Sequence, residues 1–166
     1  MGFSTHYLGR LDIEPILNQA EIEWLRAYAE VCEPGKWGYD LPLNPRAANA
    51  GRYPFERESA RPQVDVDAPW GRCDWMPCVE GCCLRWRSEE KSNNAVSWLR
   101  HLVDHFLCAD ALARGRHEDF EDFTFDHVVG GVIAAERGDS RELYLIRAAD
   151  NVITTQTLVA GDPWDW

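Results

Sequence analysis

Four cysteines and two tryptophans lie within fourteen residues of this chain, in the stretch CDWMPCVEGCCLRW from Cys73 to Trp86. Cysteine thiolates are preferred ligands of zinc and of other soft metal ions. The spacing is C-x4-C-x3-C-C, which lacks the paired C-x2-C units typical of structural zinc sites. Cys82 and Cys83 are also neighbours on a predicted strand, where successive side chains point to opposite faces. The pattern favours cysteines that fill a β-hairpin, with a metal site at Cys73, Cys78 and Cys82 as the alternative.

A second set of potential metal ligands lies on a predicted helix. His101, His105 and Cys108 follow one another at intervals of four and three residues, on one stripe with Asp104 nearby. Two histidines four residues apart can chelate zinc, but no glutamate follows the first histidine as it does in H-E-x-x-H. Histidines at the border of an apolar face are more often packing residues with one hydrated nitrogen. The sequence therefore predicts no cofactor, and these side chains belong to the alternative metal site.

No catalytic constellation is recognisable in the chain. Asp126 and His127 are an acid and a base, but neighbours on a strand point apart. No serine or cysteine lies in a nucleophile-elbow pattern, and neither a P-loop nor a dinucleotide-binding fingerprint occurs. The glycines of VVGGV, Gly130 and Gly131, indicate a bulge or a close backbone approach. The absence of a recognisable catalytic motif favours a protein without catalytic residues that is not an enzyme.

The balance of charge restricts the classes of partner. The chain has 28 Asp and Glu against 17 Lys and Arg, a formal net charge of −11. Such a charge repels phosphate backbones and anionic lipids, so we predict neither direct nucleic-acid binding nor membrane binding. It suits a protein partner that offers a basic groove. The candidate surface lies in the stretch HEDFEDFTFD, whose phenylalanines are expected to anchor five carboxylates: Glu118, Asp119, Glu121, Asp122 and Asp126.

This acidic stretch has two interpretations. It is either a solvated connector, which is the more common role of a charge run, or a ridge that docks into a basic groove. The second interpretation gains support if its carboxylates share one surface with those of the C-terminal region. The positions in question are Asp139, Glu142, Asp150, Asp162 and Asp165.

Hydrophobic periodicity predicts the elements that position these residues. Alternation predicts a strand over 3–13, and apolar stripes predict helices over 19–32 and 92–107. A hairpin is expected over 73–87, and three strands joined by tight turns follow residue 127. Two amphipathic helices must share the apolar face of one antiparallel sheet. We therefore predict an α+β two-layer sandwich with both helices on one face, in a ferredoxin-like order with extra C-terminal strands.

Potential capping residues precede both predicted helices. Asn18 is followed three residues later by Glu21, which is the spacing of a capping box. Ser92 and Asn93 precede the second helix and are residue types that cap helix N-termini. The sequence therefore predicts side-chain caps at both helix starts.

The chain of 166 residues is expected to form one domain. A proline-rich stretch over 34–70 has no sustained period and is predicted to be an irregular insertion, and residues 160–166 form a short acidic and aromatic tail. No stretch approaches the roughly 20 apolar residues that span a bilayer. The N-terminus lacks the pattern of a signal peptide, so we expect a cytoplasmic protein with reduced thiols.

Four motifs distributed along the chain carry a family resemblance. They are MGFSTHYxGxxxIEPxLNxxE at the start, WxPxxxGxxLxW at 75–86, WLxxLxDHFL at 98–107 and FTFDHVxxGxIxA at 123–135. Together they resemble a family of small acidic proteins from actinobacteria and their phages, over most of the chain outside 34–70. That family has no assigned activity, so the resemblance implies no catalytic residue. It implies a cytoplasmic, phage-related protein in which cysteine is not required at positions 78, 82 and 83.

These observations lead to one hypothesis and two alternatives. The hypothesis is a non-enzymatic, phage-related binding protein that engages another macromolecule, such as a host or defence protein, through the acidic surface or the 34–70 loop. The first alternative is a metal- or small-molecule-binding protein, or an enzyme, that uses His101, His105 and the cysteines of 73–83. The second is an architectural role through homo-oligomerisation at edge strands and at Trp164 and Trp166. The sequence does not determine the oligomeric state.

Overall fold

The computed structural model of the chain describes residues 3–30, 69, 72–88, 91–116 and 118–162. The elements are β1 (Thr5–Glu14), α1 (Gln19–Glu30), β2 (Trp75–Pro77), β3 (Cys83–Trp86), α2 (Ala95–Leu102), a π-helical turn (Val103–Leu107), a 3-10 turn (Glu118–Phe120), β4 (Val128–Arg137), β5 (Leu143–Ala149) and β6 (Val152–Val159). The predicted α+β class is confirmed. Of the predicted 34–70 insertion only Pro69 is described, and 163–166 of the predicted tail lie outside the described residues.

The six strands form one antiparallel sheet in the order β2-β3-β1-β4-β5-β6. β1 is paired with β3 on one side and along its whole length with β4 on the other. The backbones approach closely at Gly131, whose φ is +134° and where an added Cβ would lie 3.1 Å from the Arg10 carbonyl oxygen. The close approach predicted for this pair of glycines is therefore confirmed at Gly131.

The alternation of β1 distinguishes a buried face of the sheet from an exposed one. Tyr7, Leu11 and Ile13 are buried, whereas Leu8 and Arg10 between them are exposed. The buried face and both helices contribute to one apolar core. Its further members include Ile22, Leu25, Ala29, Trp98, Leu99, Leu102, Phe106, Val129, Ile133, Ala135, Ile146, Ala148 and Ile153. The apolar stripes predicted for both helices are thus buried, although Cys32 lies outside the described residues. Among the described helices, none is long and apolar enough to cross a bilayer.

The loop before α2 uses its polar side chains differently from the prediction. Asn94 directly precedes the helix and makes no side-chain cap bond, so the predicted caps at Ser92 and Asn93 are wrong. The Ser92 hydroxyl instead donates to Asp74 and accepts from Trp86 Nε1 at 2.9 Å. Asn93 bonds to the first residue of β1 at 2.9 Å. These side chains tie the loop to the sheet because their partners lie closer than the helix end.

The predicted capping box at the start of α1 is confirmed, and it extends into the core. The Asn18 amide donates to Glu21 Oε2 at 2.8 Å, and the Glu21 amide donates to Asn18 Oδ1 at 3.0 Å. Glu21 is only 1% exposed, and its Oε1 accepts from the Thr124 amide at 2.7 Å. The same oxygen lies 3.0 Å from His127 Nε2, across 106 positions of the chain. The capping residue is therefore also one half of a buried pair.

His127 is the positively charged half of this pair. Its Nδ1 lies 2.7 Å from the Pro15 carbonyl oxygen, and its Nε2 lies 3.0 Å from both Glu21 Oε1 and the Thr124 hydroxyl, so a protonated ring can donate from both nitrogens. Burial opposes this charge, but the bonds to Glu21 and Pro15 outweigh it and raise the pKa of His127. Burial likewise opposes ionisation of Glu21, but hydrogen bonds from His127, Asn18 and Thr124 lower its pKa. The two side chains form an ion pair inside the protein.

Replacing Glu21 with Gln keeps the capping geometry and removes one charge of the pair. Because folding raises the pKa of His127, protonated His127 stabilises the fold at pH values below its ordinary pKa of 6.5. This stabilisation is lost as the pH rises through the pKa that His127 has in the folded protein. Because folding lowers the pKa of Glu21, ionised Glu21 stabilises the fold at pH values above its ordinary pKa of 4.5. This stabilisation is lost as the pH falls through the pKa that Glu21 has in the folded protein. We expect Glu21→Gln to reduce the free energy of unfolding by about 3 kcal/mol between pH 4.5 and pH 6.5, and by less at lower or higher pH.

Urea denaturation of both proteins across this range of pH measures the effect. Glu23→Gln is the matched control, because Glu23 is an exposed residue of the same helix. It is expected to change the free energy of unfolding by less than about 0.5 kcal/mol. Equal losses for the two variants, or a loss that does not vary with pH, would contradict a charged pair.

Candidate functional site

The thiols of Cys78, Cys82 and Cys83 meet in the turn that joins β2 to β3. Their three sulfur atoms all lie within 4.8 Å of one another, and those of Cys78 and Cys82 are 3.5 Å apart. Cys83 begins β3, but Cys82 precedes the strand in a bend, so the alternation of a strand does not separate the two side chains. The expectation that these neighbours point apart is wrong, and the ligand set predicted from the sequence omits Cys83. The glycine before Cys82 is the signal that it belongs to the turn.

Backbone hydrogen bonds fix this turn in one position. The Cys78 amide donates to the Cys83 carbonyl oxygen at 2.9 Å and closes the turn. The Gly81 carbonyl oxygen accepts from Leu17 at 3.0 Å, and that of Cys82 accepts from β1 at 2.9 Å. Two of these bonds reach a neighbouring segment, so the fold itself sets the position of the thiols.

Hydrogen bonds within the cluster shift the pKa values of Cys78 and Cys82 in opposite directions. Burial opposes ionisation of Cys78, but hydrogen bonds from Cys83 and Cys82 outweigh it and lower the pKa of Cys78. The hydrogen bond to Cys78 raises the pKa of Cys82. Arg85 lies on the same face of β3 as Cys83, and a hydrogen bond to that sulfur raises the pKa of the guanidinium. Of the two shifted thiols, Cys78 therefore loses its proton more readily than Cys82.

Cys73 does not take part in this cluster. It is a core residue, 2% exposed, whose Sγ donates to the Trp75 carbonyl oxygen at 3.2 Å. Burial raises its pKa to about 12. Of the three cysteines predicted for the alternative metal site, the structure brings Cys78 and Cys82 together with Cys83 and leaves Cys73 apart.

The histidines of α2 and the π-helical turn form a separate buried group. The ring centroids of His101 and His105 are 3.9 Å apart, and His101 Nε2 lies 3.1 Å from the Tyr28 hydroxyl. Cys108 is half-buried beyond them, and burial raises its pKa. Within the described residues, these three predicted ligands do not bring their ligand atoms within 4.8 Å of one another. His101 packs against Trp98 and Tyr28 and His105 packs against Phe106, as core residues do.

The acidic segment, residues 118–126, has the two sides that the sequence predicts. Phe120, Phe123 and Phe125 are buried in the core. Asn18 Nδ2 donates to the Asp122 carbonyl oxygen at 2.7 Å and holds the backbone against the start of α1. The five candidate carboxylates are all exposed: Glu118, Asp119, Glu121, Asp122 and Asp126.

The other candidate carboxylates fall into two groups at opposite ends of β4. Asp150 lies at the end that carries the acidic segment, because the adjacent Asn151 donates to the His127 carbonyl oxygen at 2.9 Å. Three other candidate carboxylates lie at the opposite end of β4: Asp139, Glu142 and Asp162. The two ends are about 33 Å apart, because β4 has ten residues. The described residues therefore do not form one acidic surface through all of these positions, and Asp165 lies outside them.

Asp126 lies at the surface beside His127 and is the more distant of its two carboxylate neighbours. The Asp126 side chain is 58% exposed and its Oδ1 is 3.9 Å from His127 Nε2, whereas the imidazole is 1% exposed. His127 takes Glu21 as its carboxylate partner instead. A catalytic acid–base pair at 126–127 is therefore not formed.

A scan against protein-family models and searches of curated proteins and of solved structures found no match for the chain. The family resemblance of the four motifs accordingly stays a prediction. The side-chain geometry of the thiol turn and of the acidic segment is the basis for a functional proposal.

Gly81 has no room for a side chain in the thiol turn. Its φ is +72°, and an added Cβ would lie 2.7 Å from the Leu17 carbonyl oxygen and 2.8 Å from Ile22 Cδ1. Gly115 has a similar φ of +68° but no atom within 4 Å of an added Cβ, which makes it the matched control. We expect Gly115→Ala to cost about 1 kcal/mol of unfolding free energy, for backbone strain alone. Gly81→Ala is expected to cost about 1–3 kcal/mol more, because it also overpacks the turn.

Urea denaturation measures both losses, and the rate of reaction with a thiol reagent reports on the turn. Only Gly81→Ala is expected to speed the modification of Cys78 and Cys83. If the two variants lose the same free energy and keep the same thiol reactivity, the close contact with Leu17 does not position the turn.

Proposed function

We propose that this protein binds one thiophilic metal ion, such as Zn²⁺ or Cu⁺, through Cys78, Cys82 and Cys83. The convergence of the three sulfur atoms within 4.8 Å carries the proposal. Zinc–sulfur bonds of about 2.3 Å in a tetrahedral arrangement hold the sulfur ligands about 3.8 Å apart. The 3.5 Å between the sulfur atoms of Cys78 and Cys82 is close to that value, and the Cys83 sulfur lies within 4.8 Å of both. Side-chain rotation can therefore adjust the thiols to an ion on a backbone that is already in place.

The charges around the turn support binding of a soft cation. Three thiolates carry one more negative charge than Zn²⁺ neutralises, and the Arg85 guanidinium beside Cys83 offsets it. The lowered pKa of Cys78 favours binding, because a ligand thiol must lose its proton. A ligand set of sulfur alone selects soft ions over Mg²⁺ and Ca²⁺. Three protein ligands leave a fourth position for water or an external ligand, and Cys82 is partly exposed.

Metal analysis of reduced protein purified without chelator tests this proposal. We expect about one equivalent of zinc or copper per chain, and titration with Co²⁺ is expected to give sulfur-to-cobalt charge-transfer absorption. Cys82→Ser and Cys83→Ser are each expected to weaken binding at least about tenfold. Cys108→Ser is the matched control, since this partly buried thiol lies outside the cluster, and it should bind as the wild type does. A wild-type protein that binds no metal, or an equal loss in Cys108→Ser, would contradict the proposal.

We also infer that the fold is a two-layer sandwich with ferredoxin-like order. The chain order β1-α1-β2-β3-α2-β4 and the sheet order β2-β3-β1-β4 support this, because they match two interleaved split β-α-β units. β5 and β6 then extend the sheet beyond β4. Burial of both helices in the core of a single sheet face supports the two layers.

The proposed place of action is the cytoplasm, in a phage-related setting. The five cysteines of the described chain are free thiols, and a reducing compartment keeps thiols in that state. The resemblance of the four motifs to proteins of actinobacteria and their phages supports the same assignment. A thiol site for a soft ion is compatible with this compartment because its ligands stay reduced there.

The acidic segment supports a second candidate function, which is non-enzymatic binding to another macromolecule that presents a basic groove. Its five carboxylates are exposed on a backbone held by buried phenylalanines and by Asn18. Groups that are already ordered lose less conformational entropy when they bind. The 34–70 loop, also a candidate for this contact, lies outside the described residues except for Pro69.

Binding of an oligolysine peptide tests whether this segment is a preferred site for basic partners. The test variant neutralises four carboxylates: Glu118→Gln, Asp119→Asn, Glu121→Gln and Asp122→Asn. The control neutralises four carboxylates elsewhere, one at the end of α1 and three at the far end of β4: Glu30→Gln, Asp139→Asn, Glu142→Gln and Asp162→Asn. We expect the test variant to weaken binding about tenfold more than the control at roughly 0.15 M salt. Equal losses would mean that net charge alone attracts the peptide, which would contradict a docking ridge.

A further inference from the structure

The exposed face of the sheet carries a row of apolar side chains that the metal and acidic sites do not use. Leu8 on β1 is paired with Ala134 on β4, which is paired with Leu145 on β5. Leu8 is 76% exposed, Ala134 is exposed and Leu145 is half-buried. Val132, in the next row, is 44% exposed. Adjacent exposed apolar side chains on neighbouring strands are typical of an interaction surface.

Charged residues lie on both sides of this apolar row. On one side, Arg10 on β1 and Arg147 on β5 flank Val132 on β4. On the other side, Glu136 lies on β4, two residues beyond Ala134. The two arginines therefore lie on one side of the apolar row, on β1 and β5. The carboxylate of Glu136 lies on the other side, on β4, which runs between those two strands.

The local partners of these charges are solvent-exposed. Arg10 Nε lies 3.0 Å from Asp12 Oδ1, with the two side chains 54% and 66% exposed. Arg141 Nη1 lies 3.2 Å from Glu136 Oε1, and the arginine is 75% exposed. Exposed ion pairs contribute only about 0–1 kcal/mol. Both charges can therefore take a different partner at little cost in stability.

We propose that two copies of this chain pair through the exposed sheet face, related by a two-fold axis that runs along the apolar row. This rotation places Leu8 and Leu145 of one copy against the same residues of the other. It also brings the side that carries Arg10 and Arg147 over the side that carries Glu136 in the second copy. Because Glu136 lies on the strand between the arginines, each Glu136 comes between Arg10 and Arg147 of the other copy. The charge pattern is thus complementary to itself.

The size and charge of the face suit this pairing. The five strands β3, β1, β4, β5 and β6 together cover about 600 Å² at about 3.3 Å per residue and about 4.8 Å between strands, which is the lower end of the area that each partner contributes to a specific interface. The charged side chains of the face balance: Arg10, Arg85 and Arg147 against Asp12, Glu14 and Glu136. The chain as a whole has a net charge of −11. A neutral face allows two such molecules to approach with less repulsion than their net charge would impose.

Leu8→Glu tests the pairing, because it places a carboxylate in the apolar row, against the same position of the other copy. Sedimentation equilibrium is expected to give twice the chain mass for the wild-type protein. The substitution is expected to raise the dissociation constant of the dimer at least about 100-fold, since it buries an unpaired charge. Val79→Glu is the matched control, because Val79 is 73% exposed in the β2–β3 turn outside the paired rows. The control should remain a dimer.

Reversal of the charges tests the geometry of the pairing. Glu136→Arg is expected to weaken the dimer about tenfold, because it faces two arginines of the other copy. Combining it with Arg10→Glu and Arg147→Glu is expected to restore the dimer. A monomeric wild type, a dimer that survives Leu8→Glu, an equal loss in Val79→Glu, or no rescue by the triple charge reversal would each overturn the proposed pairing. Unchanged circular dichroism of every variant excludes unfolding as the cause.

Discussion

The ion pair between Glu21 and His127 joins three segments that are far apart in the chain. Glu21 belongs to the first turn of α1, His127 precedes β4, and the Pro15 carbonyl oxygen that accepts from His127 lies in the β1–α1 connection. A buried ion pair adds little net free energy when it forms, but the loss of one partner leaves a buried charge without compensation. We infer that its main effect is to exclude other arrangements of these segments. The acidic segment and the start of α1 then have one relative position.

The β1–α1 connection extends this constraint to the thiol turn. Leu17, four residues before Glu21, donates to the Gly81 carbonyl oxygen, and Gly81 is packed too tightly against Leu17 for any side chain. The position of the turn decides where Cys78 and Cys83 point. A ligand set held by backbone bonds loses less conformational entropy when it binds an ion than a set on a free loop. The buried ion pair and the thiol cluster are therefore parts of one arrangement.

The sheet keeps the candidate functions apart. The thiols lie in the β2–β3 turn, the acidic segment lies against the start of α1, and the apolar row of Leu8 lies on the face of the sheet opposite the core. The thiol turn offers sulfur ligands for a soft metal ion, and the acidic segment offers negative charge. The exposed sheet face offers apolar side chains among charges that balance. A chain of net charge −11 can pair with itself only where its charges balance, which is the case on the exposed face. Arg85 is common to two of these regions, because it lies beside Cys83 and also on the exposed face of the sheet.

The sequence by itself determined the helices and strands, because burial of one face requires apolar side chains at a period of two or of 3.6. Tyr7 and Leu11 in β1 and Ile22 and Leu25 in α1 are buried as their spacing predicts. The capping box of Asn18 was also predictable, since both partners lie within one turn. Local pattern likewise predicted that the phenylalanines of the acidic segment are buried and its carboxylates exposed.

Only the tertiary structure decided which distant groups meet. The pairing of Glu21 with His127 spans 106 positions, and no local period encodes such a contact. Cys82 joins Cys83 because the turn is bent against the β1–α1 connection before β3 begins, whereas a strand pattern alone predicts that they point apart. The Ser92 hydroxyl likewise donates to Asp74 and does not cap α2, because the path of the chain brings Asp74 next to it. Periodicity specifies which face of an element is buried, but the path of the chain specifies what that face meets.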